Sequence, residues 1–231
     1  MGSGQEVTLL RQSVSGCLNR GQPSFPQQKC SSRLGRMKNR DCPNLIIITG
    51  PHGAGKSTVA DFLLSNESIK GYSNADVISK GMAFDEGNSS SEISAGRILL
   101  KLVHDAIARR QTIAFETTMS GLIWKRLIGR AKNAGFEVTI CYVAVCDPLI
   151  SIKRVAQRVR EGGHDIPRDT IERRYRKSLA LAFSQYYPLA DYWYFFDNSG
   201  DSAQLLALRE KGESLTVLND LLWGDYAGRF R

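Results

Sequence analysis

The stretch NLIIITGPHGAGKSTVADFLLS, residues 44–65, decides the fold. It joins an apolar run, a glycine-rich loop ending in lysine and serine, and a segment whose apolar residues Val59, Phe62 and Leu63 recur at helical spacing. Gly50-Pro51-His52-Gly53-Ala54-Gly55-Lys56-Ser57 fits the pattern GxxxxGK[ST] without a gap. Glycines let successive backbone N–H groups converge on an anion, and the N-terminus of the following helix adds its dipole. In such a loop the lysine reaches the β- and γ-phosphates of ATP and the serine hydroxyl ligates Mg²⁺. A plain glycine turn between strand and helix would account for the glycines, but for neither Lys56 nor Ser57. The loop from Gly50 to Thr58 is therefore read as a nucleotide site, with His52 a spacer at a variable position.

Outward from this stretch the chain alternates. Leu45–Thr49 reads as a buried strand, Leu99, Leu102, Val103 and Ala106 mark one face of a second helix, and TIAFE at 112–116 is another short strand. Ile123, Trp124, Leu127, Ile128 and Ala131 make a third helix, closed by Gly135. EVTICYVAV at 137–145 is the next strand, and Asp147-Pro148 opens a helix carrying Ile152, Val155, Ala156 and Val159. A further helix runs from about Pro167 to Tyr186, followed by the aromatic strand and turn DYWYFFDNSG. LLALREKGESLTVL reads as a terminal hairpin around Lys211-Gly212. Strands alternating with helices predict a three-layer α/β P-loop NTPase fold: a mostly parallel sheet, helices on both faces and a small C-terminal hairpin.

Composition bounds the rest. With 231 residues, 42% hydrophobic, the chain suits one globular domain plus a tail, or at most two small domains. Five cysteines, an odd count with no metal-ligand spacing, fit a reducing compartment, with the cytoplasm as default. No apolar run is long enough to span a bilayer, so no membrane partner is expected. Of the net charge of +8, residues 1–43 carry seven basic against two acidic residues. That Ser-, Gly-, Gln- and Pro-rich segment is read as a disordered basic leader, or as sequence upstream of a true start at Met37. Lys153–Lys177 holds nine basic against four acidic residues, a local anion clamp more than a groove-lining surface, which disfavours nucleic acid as the main partner.

Acidic residues at strand ends face the ligand crevice of an open parallel sheet. Asp76, after the second strand, and Glu116, at the end of the third, are candidates to accept a proton from an attacking hydroxyl. Position alone also allows Asp76 to cap a helix and Glu116 to be a structural hydrogen-bond partner. Asp147 imitates a metal-holding carboxylate, but Pro148 after it favours a helix cap. Two helices joined by Gly162-Gly163 make a lid, and Arg158, Arg160, Arg173 and Arg174 are placed to close on phosphates, or to form a solvated basic face. His164 sits in the polar turn of that lid.

In this order LIIITGPHGAGKST, SNAD, FETT, GGHDIP, RRY and DNSG resemble the zeta-toxin-like P-loop kinases, specifically their free-standing bacterial branch of predicted ATPases, over about residues 44–200. The resemblance implies a kinase that uses ATP and Mg²⁺ to phosphorylate the sugar of UDP-N-acetylglucosamine. By motif it implies Lys56 and Ser57 as phosphate and metal residues and Asp76 as general base. Glu116 and Thr118 fall on the family's Glu-x-Thr substrate positions, and Arg158 on the first lid arginine. Two positions depart from the toxins: His164 stands three residues before Pro167 where they carry arginine, and Thr117 replaces the glycine of Glu-Gly-Thr. The histidine makes the phosphate clamp titratable, so His164 joins the catalytic candidates. The expected function is transfer of the ATP γ-phosphate to a small-molecule hydroxyl, a nucleotide sugar among the candidates. A 5′-hydroxyl nucleic-acid kinase is one alternative, and a nucleotide-binding regulator held by an antitoxin-like partner is the other.

Overall fold

A computed structural model describes residues 42–64, 72–74, 90–163 and 165–230. The expected leader, Asp76 and His164 lie outside the described residues. Strand β1 (Asn44–Thr49) leads through the phosphate loop into helix α1 (Lys56–Leu64), and β2 (Tyr72–Asn74) precedes α2 (Ser90–Ala108). β3 (Ile113–Thr117), α3 (Ile123–Asn133), β4 (Glu137–Ala144), α4 (Pro148–Arg160) and α5 (Arg168–Leu181) follow. A π turn (Ala182–Tyr186) and a 3₁₀ turn (Tyr187–Leu189) lead into β5 (Tyr192–Asp197), then β6 (Gln204–Arg209), β7 (Thr216–Val217) and α6 (Asp220–Phe230).

Among the described residues, one sheet holds seven strands in the order β2-β3-β1-β4-β5-β6-β7. The first five run parallel, β6 pairs antiparallel with β5 and β7 antiparallel with β6, which matches the expected mostly parallel sheet with a C-terminal hairpin. Leaving β1 the chain moves toward one edge to reach β2, then returns stepwise to β3, β4 and β5. Right-handed crossovers in opposite directions put their helices on opposite faces of the sheet. Such a reversal also opens a crevice at the C-terminal strand ends, where α/β proteins bind ligands.

The strands read as continuous apolar runs because both faces are covered. β1 is buried along its whole length, as is β4. Beside them, Tyr142 stacks on Phe195 with ring centroids 5.3 Å apart, and Phe195 meets Trp223 and Tyr226 edge-on at 5.2 and 5.0 Å. Those edge contacts dock α6 against β5. This terminal helix is absent from the sequence reading, which ended in the hairpin: its sequence, DLLWGDYAGRF, carries two glycines and only a weak apolar period. Three ring contacts, made by Phe195 of β5 and Phe183 of the π turn, supply by packing what propensity lacks.

Helices α4 and α5 share a small cluster of their own, Val155, Ile166 and Ile171, flanked by Ile152 and Val159. The glycine pair between them stops α4 with paired backbone bonds: Gly162 N–H donates to Val159 O at 3.0 Å and Gly163 N–H to Arg158 O at 2.8 Å. With Gly162 at φ 83°, this is a Schellman cap, a defined helix stop.

Candidate active site

β1 runs into the loop through Gly50, which sits at φ 147° directly over β4. A Cβ there would lie 1.9 Å from the carbonyl oxygen of Val143, so only glycine lets the chain pass. The Lys56 ammonium donates to Pro51 O at 3.0 Å and stays at the loop mouth. Asn198 Nδ2 donates to Ala54 O at 2.8 Å from the loop after β5. Arg154 on α4 donates to Asn198 O at 2.8 Å and to Gly200 O at 3.3 Å, and reaches Gly53 O at 3.5 Å. The carbonyls of the phosphate loop are thus tied from outside by side chains of other elements.

Parallel pairing sets Ile48 of β1 beside Glu116 of β3, so the next residues on both strands emerge together. The Glu116 carboxylate is buried at 4% exposure and accepts from the Ser57 hydroxyl at 3.1 Å. Two hard oxygen donors therefore stand side by side at the first turn of α1. Such donors suit Mg²⁺, which prefers one or two carboxylates and keeps several waters.

Beyond Glu116 the chain turns sharply, with Met119 buried in a left-handed conformation at φ 44°. Helix α5 and the π turn hold this turn in place. Ser178 donates to Thr118 O at 2.6 Å and in turn accepts from Tyr142 OH at 2.9 Å, while Tyr186 OH donates to Gly121 O. Burial pushes the Tyr142 phenol well above its ordinary range, so it remains an O–H donor. The Thr118 hydroxyl lies 3.2 Å from that of Ser120. Tyr175, one turn before Ser178, donates to Val145 O at 2.8 Å.

The same helix reaches the phosphate loop. An Arg174 guanidinium nitrogen lies 2.7 Å from His52 Nε2, and His52 is buried. A guanidinium can only donate, so His52 accepts through Nε2 and carries its proton on Nδ1. His52, read from sequence as a spacer, is a contact between loop and helix. Arg158 is half-buried beside Gly163, whereas Arg160 and Arg173 lie on exposed faces, and Arg160 donates to Gln157 at 3.3 Å. Asp147 caps α4, accepting from Leu149 N–H at 2.7 Å, with Pro148 in the first turn.

The structure thus brings Lys56, Ser57, Glu116 and Thr118 to one end of the sheet and adds Arg174. Arg154 and Asn198 went unnoticed in the sequence reading, although Arg154 is four residues from Arg158 on the same helix and DNSG was seen as a motif.

A family model described as an AAA domain matches residues 45–179. An uncharacterized protein of Haemophilus influenzae is 31% identical over 131 residues, which are 56% of this chain and 91% of that protein. The crystal structure of AvrRxo1-ORF1:-ORF2 with ATP aligns at a TM-score of 0.67 and 19% identity, over 95% of this chain and 70% of that one. A structure from the PezAT chromosomal toxin–antitoxin system of Streptococcus pneumoniae aligns at 0.58 and 16% identity, over 90% of this chain and 91% of that one. Both likenesses are of fold, and the fold is the P-loop kinase-like one expected from the zeta-toxin resemblance.

Proposed function

Because the chain belongs to the AAA-domain family, whose model spans residues 45–179, we propose that it binds ATP with Mg²⁺ and transfers the γ-phosphate to a hydroxyl of a small molecule. The observation that carries this reading is the Ser57–Glu116 pair beside Lys56, at the strand ends where a phosphate chain would lie. The phosphate-loop N–H groups and Lys56 bind the β- and γ-phosphates. Ser57 and Glu116 would hold Mg²⁺, which would offset charge on those phosphates. Glu116 thereby takes a metal-side role in place of the substrate role implied by the family motif.

Arg174, set on the loop by His52, supplies a fixed positive charge where the moving phosphoryl group spreads its own. Arg158 and His164 are further contributors from the α4–α5 segment. Asp76 takes the proton of the attacking hydroxyl, and Thr118 faces the acceptor from a turn fixed by Ser178 and Tyr186. A nucleotide sugar such as UDP-N-acetylglucosamine is the proposed acceptor class, supported by the motif resemblance. A protein partner of antitoxin type is proposed on the fold likeness to the PezAT system.

An Asp76→Ala variant tests the division of labour. It is expected to bind ATP like the wild type while phosphoryl transfer falls by a factor of roughly 10² or more, as for loss of a general base. Lys56→Ala is expected to lose both. Transfer unchanged in Asp76→Ala would remove the base from this residue.

A further inference from the structure

The segment after residue 179 lies beyond the family model, yet it reaches the phosphate loop through Asn198, in a turn held by hydrogen bonds on both sides. Tyr226 on α6 donates its hydroxyl to Asp197 Oδ1 at 2.5 Å, at the last residue of β5. Asp197, at 7% exposure, also accepts from the Ser199 hydroxyl at 2.6 Å and the Ser199 N–H at 3.3 Å. The Ser199 oxygen accepts from Cys146 N–H at 2.7 Å, and Arg229 of α6 donates to Cys146 O at 3.2 Å. The loop after β5 is therefore clamped on both sides of Asn198. Asn198 itself is fixed by its N–H on Ala144 O at 2.8 Å and by Arg154 on its carbonyl.

What Asn198 does with this fixed position is specific. Its Nδ2 donates to Ala54 O, and it packs so closely on Gly55 that a Cβ there would lie 2.2 Å from that nitrogen. In a trans peptide the carbonyl of one residue and the N–H of the next point opposite ways. Holding Ala54 O outward therefore turns the Gly55 N–H inward, toward the concavity where successive N–H groups cradle an anion.

We infer that Tyr226 and Asn198 are positioning residues for nucleotide phosphate binding: Tyr226 fixes Asp197, the fixed turn aims Asn198, and Asn198 orients the Gly55 N–H. The inference rests on the reading of this loop as an ATP site. Tyr226 acts as a donor throughout the neutral range, because burial and the adjacent Asp197 hold its phenol far above the ordinary value.

The test measures Mg-ATP affinity by calorimetry for the full chain, Lys56→Ala, Tyr226→Phe, Asn198→Ala and the Tyr226→Phe/Asn198→Ala double variant. Urea midpoints of each without nucleotide confirm that each is folded. Tyr226→Phe is expected to weaken binding about fivefold and Asn198→Ala about tenfold, the range of one or two hydrogen bonds. The double variant should be no weaker than Asn198→Ala alone, since both act through one chain. ATP affinity unchanged in folded Tyr226→Phe, or losses that multiply in the double variant, would overturn the inference. Should Tyr226→Phe not fold, Asn198→Ala at wild-type affinity overturns it equally. Failure of the ATP reading looks different: the wild type itself would not bind ATP, or Lys56→Ala would bind it as well.

Discussion

The Ser57 hydroxyl donates to the Glu116 carboxylate across 3.1 Å, although 59 residues separate them in the chain. Parallel pairing of β1 with β3 makes the meeting unavoidable, because Ile48 and Glu116 are register partners and the phosphate loop folds back over that end of the sheet. If the pair holds Mg²⁺, Glu116→Gln keeps the shape and removes the charge. The Mg²⁺ concentration for half-maximal phosphoryl transfer is then expected to rise about 10- to 100-fold, as for loss of an outer-sphere ligand partner. Titration of activity with Mg²⁺ checks this, and an unchanged requirement would detach Glu116 from the metal.

Arg174 faces His52 while Arg176, two residues on, is exposed to solvent. Arg174→Ala is expected to lower the maximal transfer rate by a factor on the order of 10² to 10³, the usual cost of losing one donor aimed at developing charge. Arg176→Ala should stay within about twofold. Steady-state kinetics on both variants read the difference, and equal effects would mean that only net charge matters.

The close approach at Gly50 tests the fold itself. Gly50→Ala sets a Cβ against the Val143 carbonyl, at a φ that side chains rarely adopt, so it is expected to destabilise the protein by more than about 3 kcal/mol. Urea unfolding measures this. A midpoint near that of the wild type would contradict the close approach of Gly50 to the Val143 carbonyl of β4.

Buried tyrosines set an alkaline limit. Burial pushes the Tyr186 phenol up to about 12 and holds Tyr142 and Tyr175 higher still. The unfolded chain ionises them near their ordinary value of 10, so it loses protons first as pH rises. Their contribution is complete below that value and is lost as pH climbs through the folded one. Urea midpoints are therefore expected to fall steadily between pH 10 and about 12, and less steeply in Tyr186→Phe. A flat midpoint across that window would show the phenols are not buried.

Much of this was legible in the chain. The phosphate loop, the alternation of strands and helices and the strand-end position of Glu116 follow from spacing, because glycine geometry and burial on both sheet faces constrain residue type directly. The Asp147 cap was legible too, since Pro148 marks a first helical turn. What escaped depends on long-range contact. α6 folds because Trp223 and Tyr226 find Phe195, a partnership no local period announces. His52 looked like filler until α5 brought Arg174 across, 122 residues later in sequence. The four lid arginines look alike in sequence, and only the buried side of α5, with Ile171, Tyr175, Ser178 and Leu179, decides that Arg174 turns inward and Arg173 outward.

The central claim is that the γ-phosphate passes to a small-molecule hydroxyl. The direct measurement is incubation of the full chain with Mg-ATP labelled on the γ-phosphate and a metabolite extract freed of macromolecules, followed by identification of the labelled product. A labelled phosphate monoester of a small molecule, absent with Lys56→Ala, is the predicted result. Label recovered only as free phosphate, or entering nucleic acid when that is supplied instead, would contradict it.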